Sequence, residues 1–272
     1  WDIADEDAKL YARWLDVLSY TKLQDGTYSV SQGDGISYVT EVTIPETYLG
    51  IRVTVVEGYA FKSRSNLLSI NIPDTIRIIE TDTAFYGCSK LQSVNIYHVE
   101  GNNDIVYSSD NGILMYRDEA TGQLELKFVP QKMTGDFVVP DGVTAIPLKL
   151  FSGSTISSVT IPASVVKIEQ NAFYNCKKLE KVTFLPVKEG EDTKTLEIAA
   201  KAFSSCSALT EITLPARLST FTTDIFTSCS KLARIHIEAG STTLSSIDGV
   251  VCDKDKTTIL YCPVGREGDY TI

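Results

Sequence analysis

One apolar pattern recurs along the chain. NAFYNCKKLEKVTF (171–184), KAFSSCSALTEITL (201–214) and DIFTSCSKLARIHI (224–237) each read Phe-x-x-Cys-x-x-Leu-x-x-apolar-x-apolar. The anchoring aromatic stands at Phe61, Phe85, Phe151, Phe173, Phe203 and Phe226, with intervals of 24, 66, 22, 30 and 23 residues. Five units carry an apolar-Pro pair: Ile44-Pro45, Ile72-Pro73, Val139-Pro140, Ile161-Pro162 and Leu214-Pro215. Counted from Pro162, the apolar or Cys positions are Val165, Ile168, Phe173, Cys176, Leu179, Val182 and Phe184. Counted from Pro215, they are Leu218, Phe221, Phe226, Cys229, Leu232, Ile235 and Ile237, at the same offsets.

A unit of about 23 residues holds too few apolar groups to fold alone, so such units stack and bury a continuous column of like residues. The apolar-x-apolar tripeptide has period two and predicts a short strand with its outer residues inward. Strands of successive coils then pair in parallel, and the following Pro ends the pairing. The segment around each Phe has room for no more than a turn or two of helix. These features predict a mainly β repeat solenoid.

Two stretches break the period. YSSDNGILMYRDEATGQLELKFVPQKMTGDFVVP (107–140) aligns with LSSIDGVVCDKDKTTILYCPVGREGDYTI (244–272). Each carries an Asx-Gly turn, a strand, a polar turn and a second strand, which predicts a β-hairpin inserted between coils at about 105–138 and 244–272. The second copy stops one residue short of the Pro that would open a further coil, so the solenoid is expected to continue beyond Ile272. At the other end, Asp5, Glu6 and Asp7 favour a helix start. Ala8, Tyr11, Trp14, Leu15 and Leu18 then follow at helical spacing. Residues 1–35 are therefore expected to be a helical cap and lead-in covering the first apolar layer, with the solenoid over 36–272. A helix that docks a partner is the alternative for this segment.

AFYGCSKLQSVNI (84–96), AFYNCKKLEKVTF and AFSSCSALTEITL resemble the leucine-rich repeats of the BspA-like class, found in surface proteins of oral and gut bacteria and of some protists. The resemblance covers roughly residues 36 to 272. It implies the right-handed leucine-rich-repeat superhelix, and adhesion to host matrix proteins or to other cells from a bacterial surface. The motif encodes the scaffold, and a scaffold does not fix function.

Composition narrows the partners. The formal net charge of -10 opposes nucleic acid and a polybasic membrane patch. No apolar run reaches the roughly 18 residues of a membrane span. The chain opens on Trp1 rather than Met, which reads as a mature exported protein without its signal segment. No Asn-x-Ser/Thr sequon occurs, which points to a bacterial source.

Catalytic and metal signatures are weak. Cys88, Cys176, Cys206 and Cys229 each follow a repeat Phe by three residues and are expected to form a buried column of reduced thiols. Stacked coils bring equivalent residues about 4.8 Å apart, but their parallel Cβ vectors disfavour a bridge. With Asp253 to Lys256 as a hairpin turn, Cys252 falls opposite Thr257 or Thr258, out of register with Cys262. His98 and His236 are the only histidines, and His236 is the outward middle of a strand tripeptide. QGDGISY (32–38) is a turn rather than a dinucleotide loop. DKDKTT (253–258) hints at Asp-x-Asp calcium ligation without the required Gly and Glu, and reads as a hairpin tip. Neither a catalytic residue, a metal ligand nor a cofactor is predicted.

The candidate surface is the outward row of strand middles: Thr43, Asn71, Asn95, Thr160, Thr183, Thr213 and His236. Small polar residues suit an exposed strand position in any case. As a functional feature they make a flat, uncharged strip for an extracellular protein partner, presented by a monomer. A structural spacer and a glycan-binding surface are the rival readings. Against the glycan reading, the row contains no Tyr or Trp.

Overall fold

A computed structural model describes residues 17–190 and 193–268. It divides into two compact units. The first ends at Gly122 and includes Lys127–Pro130. The second comprises Gln123–Leu126 and the chain from Gln131 onward.

The first unit begins with an antiparallel hairpin, β1 (Leu18–Lys22) and β2 (Tyr28–Gln32). A 3-10 turn at Asp34–Tyr38 leads to β3 (Glu41–Thr43), and β4 (Thr47–Tyr48) turns back onto β5 (Ile51–Val56). β6 (Ser69–Pro73) pairs in parallel with β3 and with β8 (Ser93–Tyr97), in register through Val42, Ile70 and Val94. A second parallel sheet joins β2, β5 and β7 (Ile78–Ile79) through Val30, Val56 and Ile79. The antiparallel hairpin β9 (Tyr107–Asp110) and β10 (Ile113–Arg117) follows. β11 (Leu124–Phe128) carries the chain across the unit boundary.

The second unit repeats the plan. β12 (Thr134–Val138), β14 (Thr155–Ile161) and β16 (Lys181–Phe184) form one parallel sheet. β13 (Ala145–Ile146), β15 (Lys167–Ile168) and β17 (Glu197–Ile198) form another. β18 (Glu211–Leu214) pairs in parallel with β19 (Arg234–Ile237). β20 (Leu244–Ile247), β21 (Val250–Asp253) and β22 (Ile259–Tyr261) make an antiparallel meander. The units are thus stretches of β-solenoid. Beside the strand tripeptides, most coils contribute a second strand, such as β5, β7, β13, β15 and β17, absent from the sequence-based expectation.

The Phe column is the core. Phe61, Phe151, Phe173, Phe203 and Phe226 are at most 1% exposed. In the second unit the rings stack: Phe151–Phe173 at 4.8 Å, Phe173–Phe203 at 5.0 Å and Phe203–Phe226 at 5.8 Å, all within 16° of parallel. Phe61 and Phe85 stack likewise at 6.1 Å in the first unit. Phe128 packs edge-on to Phe85, and Phe137 edge-on to Phe151. Both lie in the inserted segments, so the insertions supply aromatic layers of their own.

The chain around each Phe is turn rather than helix, apart from one four-residue helical turn, α1 (Thr81–Ala84). Left-handed residues stand two before and two after the ring: Tyr59 and Ser63, Lys149 and Gly153, Asn171 and Asn175, Lys201 and Ser205. That double reversal lets successive coils bond to one another through Phe173 N–H to Ala202 O at 2.8 Å and Asn175 N–H to Ser204 O at 2.9 Å. The Phe carbonyl receives the thiol of the next coil. Cys88, Cys176, Cys206 and Cys229 donate to the carbonyls of Phe61, Phe151, Phe173 and Phe203 at 2.8, 2.9, 3.2 and 3.0 Å. A small residue with a weak donor is what that buried site requires. The neighbouring Cys176 and Cys229 thiols, together with burial, push the Cys206 thiol up.

Three expectations change. Leu18 opens strand β1 rather than extending a helix; the remainder of the proposed capping helix lies outside the described residues. Cys252 stands opposite Ile259, displaced by a bulge from the expected Thr257 or Thr258. The hairpins also contain a strand before the Asx-Gly turn, where only strands after it were expected. Asn111-Gly112 and Asp248-Gly249 have positive φ at both central residues, the two-residue turn that matches strand twist.

Those hairpin tips terminate parallel ladders. Gly112 O accepts from Val94 N–H at 3.1 Å, and Ser109 Oγ accepts from Ile96 N–H at 2.7 Å, which closes the edge of β8. Gly249 O and Ser246 Oγ do the same for Ile235 and Ile237 on β19, at 2.9 and 3.0 Å. Only glycine fits this approach. A Cβ on Gly112 would lie 2.7 Å from that of Ser93, and one on Gly249 would lie 2.7 Å from that of Arg234.

Candidate functional site

The outward row forms, and within each unit it is in register. In the first unit Thr43, Asn71 and Asn95 are consecutive partners. Asn71 Nδ2 donates to Thr43 Oγ1 at 3.1 Å and to Glu41 Oε1 at 2.8 Å, and Asn95 Nδ2 donates to Asn71 Oδ1 at 3.0 Å. These three side chains therefore form a ladder that satisfies much of its own hydrogen bonding. In the second unit Val138, Thr160 and Thr183 are consecutive partners, and Thr213 pairs with His236. Thr213 and His236 are exposed, and Thr160 and Thr183 half-buried.

Two features of the row escaped the sequence. Val138, 64% exposed, is its first member in the second unit. It was missed because an apolar-polar-apolar template passes over Phe137-Val138-Val139. The strands are also one residue longer on their N-terminal side, so a second outward row runs beside the first. In the second unit it reads Asp136, Ser158 and Lys181 on one sheet, then Glu211 and Arg234 on the other. Ser158 Oγ donates to Asp136 Oδ1 at 2.6 Å. The strip itself is uncharged but has a charged border, with Lys181, Glu211 and Arg234 alternating in sign along it.

In the second unit the row has one discontinuity. β16 and β18 belong to separate sheets, so Thr183 and Thr213 face each other across a groove of about 500 Å³. A second cleft, of about 590 Å³, lies at the His236 end, lined by Arg234, His236, Asp248, Arg266 and Glu267.

The remaining candidates have structural partners. His98 Nδ1 is 2.6 Å from Asp74 Oδ2. Asp74, 1% exposed, also accepts from Val99 N–H and Asn102 Nδ2, so this carboxylate anchors the loop after β8. Asp253 Oδ1 accepts from the N–H groups of Thr257 and Thr258, and Oδ2 from the Thr257 hydroxyl. Those bonds hold its carboxyl below the usual range. The DKDKTT acidic group is thus bound up in its own turn. Asp118 is held down in the same way by Thr121 in the first hairpin. Among the described residues no cluster of His, Cys, Asp and Glu has the arrangement of a metal site. Likewise, none of their helices is long and apolar enough to cross a membrane.

The coil architecture, with its Phe and Cys columns, agrees with one family model. The model of the BspA type leucine rich repeat region matches six copies over residues 34–109 and 130–248. The chain belongs to this family. No curated protein matches it. A leucine-rich repeat protein from Bacteroides ovatus shares 24% identity over 83% of this chain and 53% of its own, with a TM-score of 0.53. The pneumococcal vaccine antigen PcpA shares 21% over 92% of this chain and 55% of its own, at a TM-score of 0.44. A leucine rich cell surface protein from Faecalibacterium prausnitzii shares 17% over 82% of this chain and 93% of its own, at 0.38. The chain thus spans about half the length of the Bacteroides and pneumococcal structures. At these identities the likeness concerns the fold.

Proposed function

We propose that the chain is an extracellular, non-enzymatic adhesion module of a bacterial surface, acting as a monomer that binds protein through its outward strand rows. The observation that carries this reading is the row in the second unit. Val138 and Thr160, Thr160 and Thr183, and Thr213 and His236 are in register on parallel strands, so their spacing is set by the backbone ladder. Rigid strands limit the entropy lost on binding. Protein interfaces exclude charge from their centres and tolerate it at the rim, which matches an uncharged strip with a charged border. The first-unit row, Thr43, Asn71 and Asn95, is bonded to itself, so its contribution is secondary.

Membership of the family supports a surface location for this chain. The test is adhesion to immobilised fibronectin, laminin and collagen. The wild type should be retained by at least one, and Thr183→Arg/Thr213→Arg should lose most of that retention. Retention by none of the three would favour a structural spacer.

A further inference from the structure

The two hairpins show what this chain does with the end of a parallel ladder. At β8 the inward-facing Val94 and Ile96 direct their N–H groups to the hairpin tip, and at β19 Ile235 and Ile237 do the same. The equivalent residues of β16 are Val182 and Phe184. No strand pairs with β16 on that side, since β18 belongs to another sheet. Among the described residues no hairpin tip or side chain takes its place. The same two coils remain bonded at the Phe column, through Phe173 to Ala202 and Asn175 to Ser204. They part only at the strand face. The interval from Phe173 to Phe203 is 30 residues where its neighbours have 22 and 23, and the extra length falls between β16 and β17. An unpaired ladder edge is a binding surface that proteins ordinarily cover.

The groove at this edge is lined by Lys181, Thr183, Phe184, Glu211, Thr213 and Pro215. We infer that it binds a short neutral oligosaccharide of two or three sugar units. A peptide strand is too wide: insertion needs two ladder spacings, about 9.6 Å, whereas Cα atoms of β16 and β18 approach within 8 Å. The donors and acceptors suit sugar hydroxyls: the Thr183 and Thr213 side chains line the groove together with the carboxylates of Glu180, Glu211 and Glu238. Phe184, half-buried, supplies apolar surface for the C–H face of a ring. Glu180, Glu211 and Glu238 outnumber Lys181 around the groove, which disfavours sialylated or sulfated sugars. Its volume falls within the range of small-ligand sites, roughly 300–1,000 Å³. The groove shares Thr183 and Thr213 with the adhesion strip, but its ligand is different and its test does not depend on adhesion.

The experiment is an NMR titration of the ¹⁵N-labelled chain with maltotriose, cellotriose and triacetylchitotriose, with 3′-sialyllactose as the charged comparison. Amide exchange is measured first, without ligand. The Val182 and Phe184 amides should exchange far faster than those of Val159 and Ile161, their paired counterparts on β14. At least one neutral probe should then shift the signals of Val182, Phe184 and Thr213, and sialyllactose should not. Thr183→Val/Thr213→Val removes both hydroxyls at constant shape, and it should weaken binding about tenfold. Protected Val182 and Phe184 amides would overturn the inference, as would silence with all three neutral probes at millimolar concentration. Undiminished binding by the valine variant would also overturn it.

Discussion

Truncating Phe173 to Ala tests the column that defines each coil. Its ring is fully buried and stacked on both sides, 4.8 Å from Phe151 and 5.0 Å from Phe203. Core Phe→Ala changes cost about 3–5 kcal/mol. Each aromatic pair contributes about 0.5–1.5 kcal/mol beyond burial, so losing two places Phe173→Ala near the top of that range, about 5 kcal/mol. Phe226, equally buried, has one stacked partner among the described residues, at 5.8 Å. Phe226→Ala should therefore cost less, about 3 kcal/mol. Urea melts followed by far-UV circular dichroism report both as shifts of midpoint. Repeat arrays can lose cooperativity, so comparable slopes are needed before midpoints are converted to free energies. A loss below about 1 kcal/mol for Phe173→Ala, or a greater loss for Phe226→Ala, would refute the stacked-column account.

Gly249→Ala should destabilise by more than about 2 kcal/mol, since it adds left-handed strain to a Cβ 2.7 Å from Arg234. Gly122→Ala, at φ +69 with nothing within 4 Å, should show the strain alone in the same melt. In the native protein Cys206 should resist a thiol reagent at pH 8 and react once unfolded, because its folded value is raised. Unfolding in alkylating reagent without reductant should label Cys88, Cys176, Cys206 and Cys229, and a bridge between any two would contradict the thiol-to-carbonyl arrangement. The Asp253 carboxyl should titrate below the ordinary value of about 3.9, so its support of the turn is present above that value and fades as pH falls through the lowered one. Thr257→Val should raise the midpoint in an NMR titration.

Much of the fold was legible because a solenoid writes its core in one dimension. Phe, Cys and Leu at offsets of three, then apolar-x-apolar, identified the buried column, the thiol column and the strand register before any coordinates. The two-residue strands such as Lys167–Ile168 were not legible, because two residues give no period. Nor were the positive-φ positions flanking each Phe, since Tyr59, Lys149 and Ser205 are residues that seldom signal a left-handed backbone. The groove beside Thr183 was concealed for a different reason. The motif on both sides is regular, and only the 30-residue interval marks where the ladder opens. Lys181, Glu211 and Arg234 were passed over because a tripeptide template starts one residue too late to include them.

The central claim is that binding resides on the outward strand face rather than on the coil turns. The most direct measurement compares two variants of equal added charge in one adhesion assay, each with a thermal melt. Thr183→Arg/Thr213→Arg alters the strip. Tyr174→Arg/Asn171→Arg alters the turn around Phe173, where Tyr174 is 43% exposed. The account predicts that the strip variant melts close to wild type and loses matrix attachment, while the turn variant keeps it. Attachment lost by the turn variant and retained by the strip variant, with both still folded, would contradict it.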